Sequence, residues 1–427
     1  MPNSIDVVVI GAGLSGLTAA RLLRASGRSV LVLEARDRPG GRMYGFDVDG
    51  RSIQIGGRWI GPGQDRVKSL AEEFGIEAIE HDGFEDAGSV IGGAGEELRA
   101  LARRIEALAE SVPLEAPWTT PNARELDGQT LATWLSANAP ADVATAMGTS
   151  LTSFLPEPQD LSFLHTLFYT KSNGGLVGIL GLDGKAHDNG QFVGGAHRLT
   201  DALYHDLEAH VRLNTPVWKI VHDRDQVQVH TADGRVSAGY AIVAMPPVLA
   251  GRLQYDPPMP PDRDYLTQRM PIRGKIAVAL LYAEPFWRDG SDTTLVADED
   301  VLLWDEGGDH RPVVLAGLIS IRRSRELAGL DAATRKETIL GYAARHFGNQ
   351  ATQLSDYYEI NWAAEPWSRG CNSFMTTGVW TAWGYSLRQP VGRIHWAGAE
   401  TSPYFVGQME GAVQSAETVV ETLLTAG

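Results

Sequence analysis

The sequence contains one cysteine, Cys371, so no internal disulfide can close, and no stretch approaches the roughly 20 apolar residues of a membrane span. It also lacks a basic excess: 37 Lys and Arg against 53 Asp and Glu give a formal net charge of -16. That balance argues against a nucleic-acid partner and mildly favours a cationic small molecule. The first apolar run, from Val7, carries neither the basic flank nor the small-residue cleavage site of a signal peptide, so the expected compartment is the cytoplasm. Repeats and low-complexity runs are absent too, and no metal is expected. What is present is an ordinary globular composition, 43% hydrophobic and 21% charged over 427 residues, enough for about two domains.

The amino-terminal pattern is specific. Asp6 to Ile10 is a short β-branched run, the mark of a buried parallel strand; it turns through Gly11-Ala12-Gly13-Leu14-Ser15-Gly16 into an amphipathic helix ending near Gly27. In such a turn Gly11 permits the tight bend, Gly13 admits a pyrophosphate to the backbone, and Gly16 lets helix and strand approach, with the helix amino terminus toward the phosphates. A second strand, Ser29 to Leu33, ends in Glu34, where an acid can bind ribose hydroxyls. Directly after it, Arg36-Asp37-Arg38-Pro39-Gly40-Gly41-Arg42 supplies a second glycine pair and cations suited to further pyrophosphate contact. The turn Ile55-Gly56-Gly57-Arg58-Trp59-Ile60-Gly61-Pro62 then brings backbone within reach of an isoalloxazine. Together these point to FAD rather than a nicotinamide dinucleotide.

At the other end, Arg393 to Trp396 reads as a strand, followed by Gly398-Ala399-Glu400-Thr401 and a helix from about Gly407 through Leu424. The amino terminus of that helix suits a flavin pyrimidine, where negative charge collects on reduction.

With these motifs, and with Gln191 to Gly195, Pro285-Phe286-Trp287, Asn361-Trp362, Trp367 to Cys371, His395 to Thr401 and Gly407 to Ala412 in the same order, the sequence resembles the flavin monoamine oxidase family over nearly its whole length. The resemblance implies an α/β fold with an α+β insertion. A Rossmann-like FAD-binding domain would be built from three discontinuous segments, 1–79, 193–266 and 365–427. A mixed-sheet and helical substrate domain would comprise 80–192 and 267–364. It also implies cofactor contacts: Gly11, Gly13, Ser15, Gly16, Glu34, Ala35, Arg36, Gly41 and Arg42 with adenosine and pyrophosphate, Val217 with adenine, Gly57, Arg58, Trp59, Ile60 and Trp362 along the flavin, and Gly398, Glu400, Gln408 and Met409 around its pyrimidine and ribityl chain. Substrate walls are expected at Ile179, Leu180 and Asp188.

The reaction implied is oxidation of a small amine: a hydride equivalent leaves the carbon next to nitrogen for flavin N5, and the resulting imine is hydrolysed. Oxygen or another acceptor then reoxidises the flavin. Two departures from the family pattern bear on it. Two aromatic side chains usually stand before the flavin; here Asn372 and Gln408 occupy those positions, and their four donor hydrogens and two acceptors suit a polar substrate. Phe374 and Tyr404, with Phe405 or Trp380, are candidates to restore a wall. The lysine that the family places beneath N5 aligns with Ala277, whereas Lys275 lies two residues earlier on the same strand face. Lys275, Asn372 and Gln408 are therefore the candidate catalytic residues. Cys371 matches a position that some relatives bond to the flavin; dissociable FAD is the expectation, attachment through Cys371 the alternative. The alternatives to an amine are an L-amino-acid oxidase or a carbon-carbon desaturase of the same superfamily, and a non-catalytic flavin scaffold. An amino-acid oxidase needs a cation for the carboxylate, and no cavity arginine can be fixed from sequence. A homodimer is an open expectation.

Overall fold

The computed structural model describes residues 5–80, 95–152, 154–183, 190–288, 295–307 and 311–426. The first strand, β1 (Ile5–Ile10), leads through the glycine turn into helix α1 (Leu14–Ala25) and returns as β2 (Val30–Leu33). β1 runs parallel between β2 and β3 (Gly234–Val243), and β3 also pairs in parallel with β4 (Ile394–Trp396). The remaining strands of this eight-stranded sheet are Gln254–Asp256, Val217–His222, Val227–Thr231 and Val211–Arg212.

Apolar residues fill both faces of β1 because both faces are covered. Val7 and Val9 pack with Leu17, Ala20 and Leu23 of α1 and with Ala416 and Val420 of the last helix, α2 (Met409–Ala426). Val8 and Ile10 point the other way, toward Ile220, Val229 and Trp396. Sequence ends thus share one core. Close approach of α1 to the sheet rests on Gly16: a Cβ there would stand 2.0 Å from the carbonyl oxygen of Gly11.

A second, five-stranded antiparallel sheet runs in the order Leu295–Ala297, Val301–Asp305, Val313–Ile319, Ile276–Tyr282, Asp356–Asn361. The period-two alternation of Ile276–Tyr282, an interior strand, separates two layers. Ile276, Val278, Leu280 and Tyr282 meet Ile339 and Ala343 of helix Ala332–Phe347, while Ala277, Ala279 and Leu281 face Ile53, Ile55 and Trp362. A helical layer completes the fold: Gly95–Ala109, Leu131–Asn138 and Phe163–Ser172 bury Ile105, Leu135 and Phe168, and Trp134 stacks on Phe163 with ring centroids 4.3 Å apart.

Sequence alternation predicts a strand over 276–282 and the apolar pattern a helix near 332–347, and both form there; the helices predicted over 96–111 and 130–138 form as Gly95–Ala109 and Leu131–Asn138. Thr130 explains the later start of the second, since it caps the helix by accepting from the Thr133 amide rather than joining it. Among the described residues no helix is long and apolar enough to cross a membrane.

Gly16→Ala tests the helix–sheet contact. The methyl group would meet backbone that has no rotamer to escape into, so a loss of about 1–3 kcal/mol in unfolding free energy is expected in urea titration. An unchanged midpoint would show that the approach is not tight.

Candidate active site

A cavity of about 1070 Å³ runs between the parallel sheet, the antiparallel sheet and the helical layer. It exceeds slightly the range of about 300–1,000 Å³ usual for a small-molecule site, which suits a large cofactor with room beside it. One end is built by the β1–α1 turn. Gly11, with φ +108°, directs the chain round, and Gly13, Leu14 and Ser15 at the start of α1 line the cavity. A Cβ added at Gly13 would meet no protein atom within 4 Å. The space in front of this glycine is open, as close approach by a phosphate requires.

Glu34 lies at the end of β2, 3% exposed, and its carboxylate accepts the amides of Ala12 at 2.7 Å and Arg36 at 2.9 Å. Oε1 also takes the Arg36 guanidinium at 3.4 Å, so Oε2 is the oxygen that keeps a lone pair for a further donor such as a ribose hydroxyl. Ala35, Arg36, Gly41, Arg42, Gly57, Arg58, Trp59, Val217, Trp362, Gly398, Gln408 and Met409 also line the cavity. The donor set therefore fits FAD: an open helix amino terminus, a ribose acceptor, and cations along the path between them.

Two arginines hold these walls together. Arg36 donates to Glu365 at 2.5 Å and to Ser368 at 2.6 Å, besides its 3.4 Å contact with Glu34. Arg42 grips Glu400 with both forks, at 2.6 and 2.9 Å, and also donates to the Cys371 carbonyl. Burial by itself pushes the Glu400 carboxyl up; the Arg42 charge and its hydrogen bonds outweigh that and leave it below its ordinary value of 4.5. Sequence reading assigned Arg42 and Glu400 separately to the cofactor. The structure pairs them with each other, and Glu400 stands behind Arg42 rather than in the cavity wall.

Of the other expected cofactor contacts, Gly16 and Ile60 do not line the cavity, and Arg58 lines it with its guanidinium engaged elsewhere. Gly16 faces Gly11, not the cavity, and Ile60 is buried in the core of the parallel sheet, its backbone bridged to Gly190 in both directions at 2.9 Å. Arg58 lines the cavity but turns its guanidinium toward Glu306, the Gln54 carbonyl and the face of Trp304.

At the far end Ile179 and Leu180 line the cavity as expected, together with Lys275, Ala277, Cys371, Asn372 and Gln408. Burial, reinforced by the charge of Arg273, lowers the Lys275 ammonium from 10.5 to about 7, with Cys371 acting in the opposite sense. The two amides are partly committed to neighbours. Asn372 Nδ2 donates to the carbonyls of Cys371 at 3.2 Å and Gly407 at 3.1 Å, and Gln408 Oε1 accepts from Gln64. Asn372 Oδ1 and Gln408 Nε2 take no part in these bonds. Cys371 is an exposed free thiol at the cavity wall.

Phe374 and Tyr404 do not form the wall expected of them. Phe374 is buried in the helical core, and Tyr404, on the turn before α2, is 44% exposed outside the cavity. The aromatic wall is instead made by Phe154 and Tyr169, with Trp304 from the antiparallel sheet. The run from Phe163 to Tyr169 is aromatic and apolar in the sequence, but only the helix decides that Tyr169 faces the cavity; for Phe154 and Trp304 no local pattern marks a ligand. Asp188 and its neighbour His187 lie outside the described residues. No group of three His, Cys, Asp or Glu able to hold a metal occurs among the described residues.

A glycine turn between a parallel strand and a helix, opening on a cavity of this size, defines a dinucleotide-binding protein of the doubly wound class. Comparison with known proteins narrows this. Residues 14–424 match the family model for flavin containing amine oxidoreductase. An L-amino acid dehydrogenase of Synechocystis sp. is 33% identical over 466 residues, covering 99% of this chain and 95% of that protein. The flavin-containing amine oxidase B of Homo sapiens is 32% identical over 454 residues, covering 100% and 87%. Among solved structures, a putrescine oxidase with redesigned cofactor binding superimposes with a TM-score of 0.90 at 30% identity over 99% of both chains. Cyclohexylamine oxidase from Brevibacterium oxydans gives 0.86 at 27% identity over 99% of this chain and 100% of that one. The chain belongs to the flavin-containing amine oxidoreductase family and is an oxidoreductase acting on amines.

Glu400→Gln tests the clamp. Removing the carboxylate strands the buried Arg42 charge, and a loss of about 3–5 kcal/mol is expected. Because the native Glu400 pKa is lowered, its contribution is complete above about pH 4.5 and disappears as pH falls through the lower native value. Denaturant titrations across that interval should show the parent losing stability more steeply than the variant; parallel curves would place the pair outside the stability account.

Proposed function

We propose that this protein oxidises a small, polar amine to an imine, using dissociable FAD held between its chain ends. The observation that carries this reading is one continuous cavity, from Gly11 and Gly13 at one end to Ile179, Leu180 and Asn372 at the other. A cofactor seated on the glycine turn would extend toward the apolar walls. FAD, when bound, supplies the acceptor for a hydride equivalent from the carbon next to nitrogen.

The chain's own residues position and shield. Gly13, Ser15, Glu34, Arg36, Gly41 and Val217 hold the adenosine diphosphate half; Gly57, Trp59 and Trp362 flank the ring system, with Trp362 fixed by its 2.9 Å hydrogen bond to the Ile55 carbonyl. Gly398 and the amino terminus of α2 at Gln408 and Met409 face the pyrimidine, where their backbone amides stabilise negative charge. Asn372 Oδ1 and Gln408 Nε2 orient a polar substrate, and Ile179, Leu180 and Tyr169 exclude water. Lys275, its ammonium pushed down to about 7 chiefly by burial, is placed to hold a proton or a water beside the reacting atoms. Bound FAD would pass its electrons on to oxygen or another two-electron acceptor.

The division of labour follows the two sheets: segments 1–79, 193–266 and 365–427 carry the cofactor, and 80–192 with 267–364 carry the substrate walls. A cytoplasmic setting, supported by the single cysteine, and a homodimer complete the proposal.

Anaerobic mixing with panels of amines and polyenes tests the activity: polar amines should bleach the flavin and polyenes should not. Asn372→Ala or Gln408→Ala should weaken the apparent affinity for the bleaching amine about tenfold, as expected for one lost hydrogen bond. Bleaching by no amine, or unaltered affinity in both variants, would count against the respective claims. Acid precipitation addresses the linkage: the flavin should remain in the supernatant, and yellow colour retained in the pellet would establish attachment through Cys371.

A further inference from the structure

Lys275 stands immediately before the strand Ile276–Tyr282, and its backbone is pinned on both sides. The Trp362 amide donates to its carbonyl at 3.1 Å, and the next amide, of Ile276, donates to Ser324 Oγ at 2.9 Å. From this fixed root the side chain lines the cavity, on a wall that also carries Ile179, Leu180 and Asn372. Among the described residues no hydrogen bond or ion pair engages its ammonium. Lys171 and Lys219 differ: the first donates to the Glu110 carbonyl at 2.6 Å, and the second pairs with Asp256 at 3.0 Å.

An amine so placed is a nucleophile. Burial, with the Arg273 charge second, pushes its ammonium down to about 7, while Cys371 acts the other way. Loss of the proton bares the lone pair with which a lysine attacks a carbonyl or imine carbon, and a guanidinium, which keeps its protons, has no such option. Oxidation of an amine delivers an imine carbon into this same cavity, where the walls Ile179 and Leu180 bring no competing group.

We propose that Lys275 captures the oxidised substrate as a covalent imine, so that this amine takes imines and the aldehydes or ketones derived from them. The proposal rests on the reading that the site oxidises amines, and adds the step by which the nitrogen leaves. For a primary amine, Lys275 Nζ adds to the imine carbon, and both protons of the lysine amine pass to the substrate nitrogen. That nitrogen departs as ammonia, its bond to carbon broken, and a C=N bond to Lys275 remains. Water then adds to the carbon, the carbonyl compound leaves, and the lysine amine is restored. The sum is imine plus water giving carbonyl compound plus ammonia, with no electrons moved.

The first experiment exposes the flavin-loaded protein to methoxyacetaldehyde and cyanoborohydride, which reduces a protein-bound imine to a stable secondary amine, and maps the label by peptide mass spectrometry. Lys275 should be labelled at least about tenfold faster than Lys171 or Lys219, because an ordinary exposed lysine holds its proton at neutral pH. Cys371, the thiol on the same wall, gives a thiohemiacetal that this reagent does not fix, so the label reports the amine. The second experiment replaces the aldehyde by 2-methoxyethylamine in a single anaerobic turnover. The methoxyethyl group should then appear on Lys275 and the substrate nitrogen as free ammonia. In Lys275→Met and Lys275→Arg, ammonia release should fall behind flavin bleaching, whereas in the parent the two should keep pace.

Labelling of Lys275 no faster than of the two surface lysines would overturn the proposal, whether or not amines bleach the flavin. So would bleaching by 2-methoxyethylamine that leaves Lys275 unlabelled, or full rescue of ammonia release by arginine, which would assign the lysine a purely electrostatic role. No bleaching across the amine panel, with Lys275 still labelled by the aldehyde, would sink amine oxidation and keep the covalent lysine. Thermal unfolding compares the variants with the parent; where they fold poorly, the two labelling experiments on the parent decide.

Discussion

Two buried arginine–carboxylate clamps close the walls of the cavity, and the arrangement of everything lining it depends on them. Arg36 joins Glu34 at the end of β2 to Glu365 and Ser368, more than 300 positions later in the chain; Arg42 joins the same amino-terminal segment to Glu400 and the Cys371 carbonyl. Taking such charges out of water is unfavourable, and it is offset only where geometry is good and the remaining donors are satisfied. Bidentate contact between Arg42 and Glu400 meets that condition. A ligand lying between the chain ends therefore meets walls already positioned, with little ordering left to be done on binding.

The antiparallel sheet contributes through the simplest property of a strand. Successive side chains of Ile276–Tyr282 point to opposite faces, so one strand carries the core against helix Ala332–Phe347 on one side and a floor of small residues, Ala277 and Ala279, on the other. Of these, Ala277 lines the cavity and leaves volume there for a ligand. Lys275, extending the same face beyond the strand's start, becomes a cavity cation rather than a surface one, and its lowered pKa follows from that position.

Much of the fold was legible in the sequence because the relevant signals are local. The β-branched run before Gly11, the acid at position 34 and the alternating strand at 276–282 each report a backbone geometry that neighbouring residues enforce. Gly16 is a case in point: its spacing from Gly11 predicts close packing, and the steric contact bears this out. The candidate site was legible only where it is built from such turns. Phe374 follows a motif position yet packs into the helical core, Tyr404 lies on an exposed turn, and Phe154 and Trp304 reach the cavity from elements whose sequences carry no ligand signature. Asn372 and Gln408 were found by position, but the commitment of their amides to Cys371, Gly407 and Gln64 was not.

By itself, then, the sequence determined the class of fold, the cofactor-type turn and the residue types available to a site, because periodicity, glycine placement and motif order are written along the chain. Tertiary structure alone decided which charges face the cavity and which neutralise each other. Arg42 and Glu400 stand 358 positions apart and meet at 2.6 Å, while Lys275 stays on the cavity wall. Coulomb energy depends on distance through space and on burial, neither of which the order of residues contains.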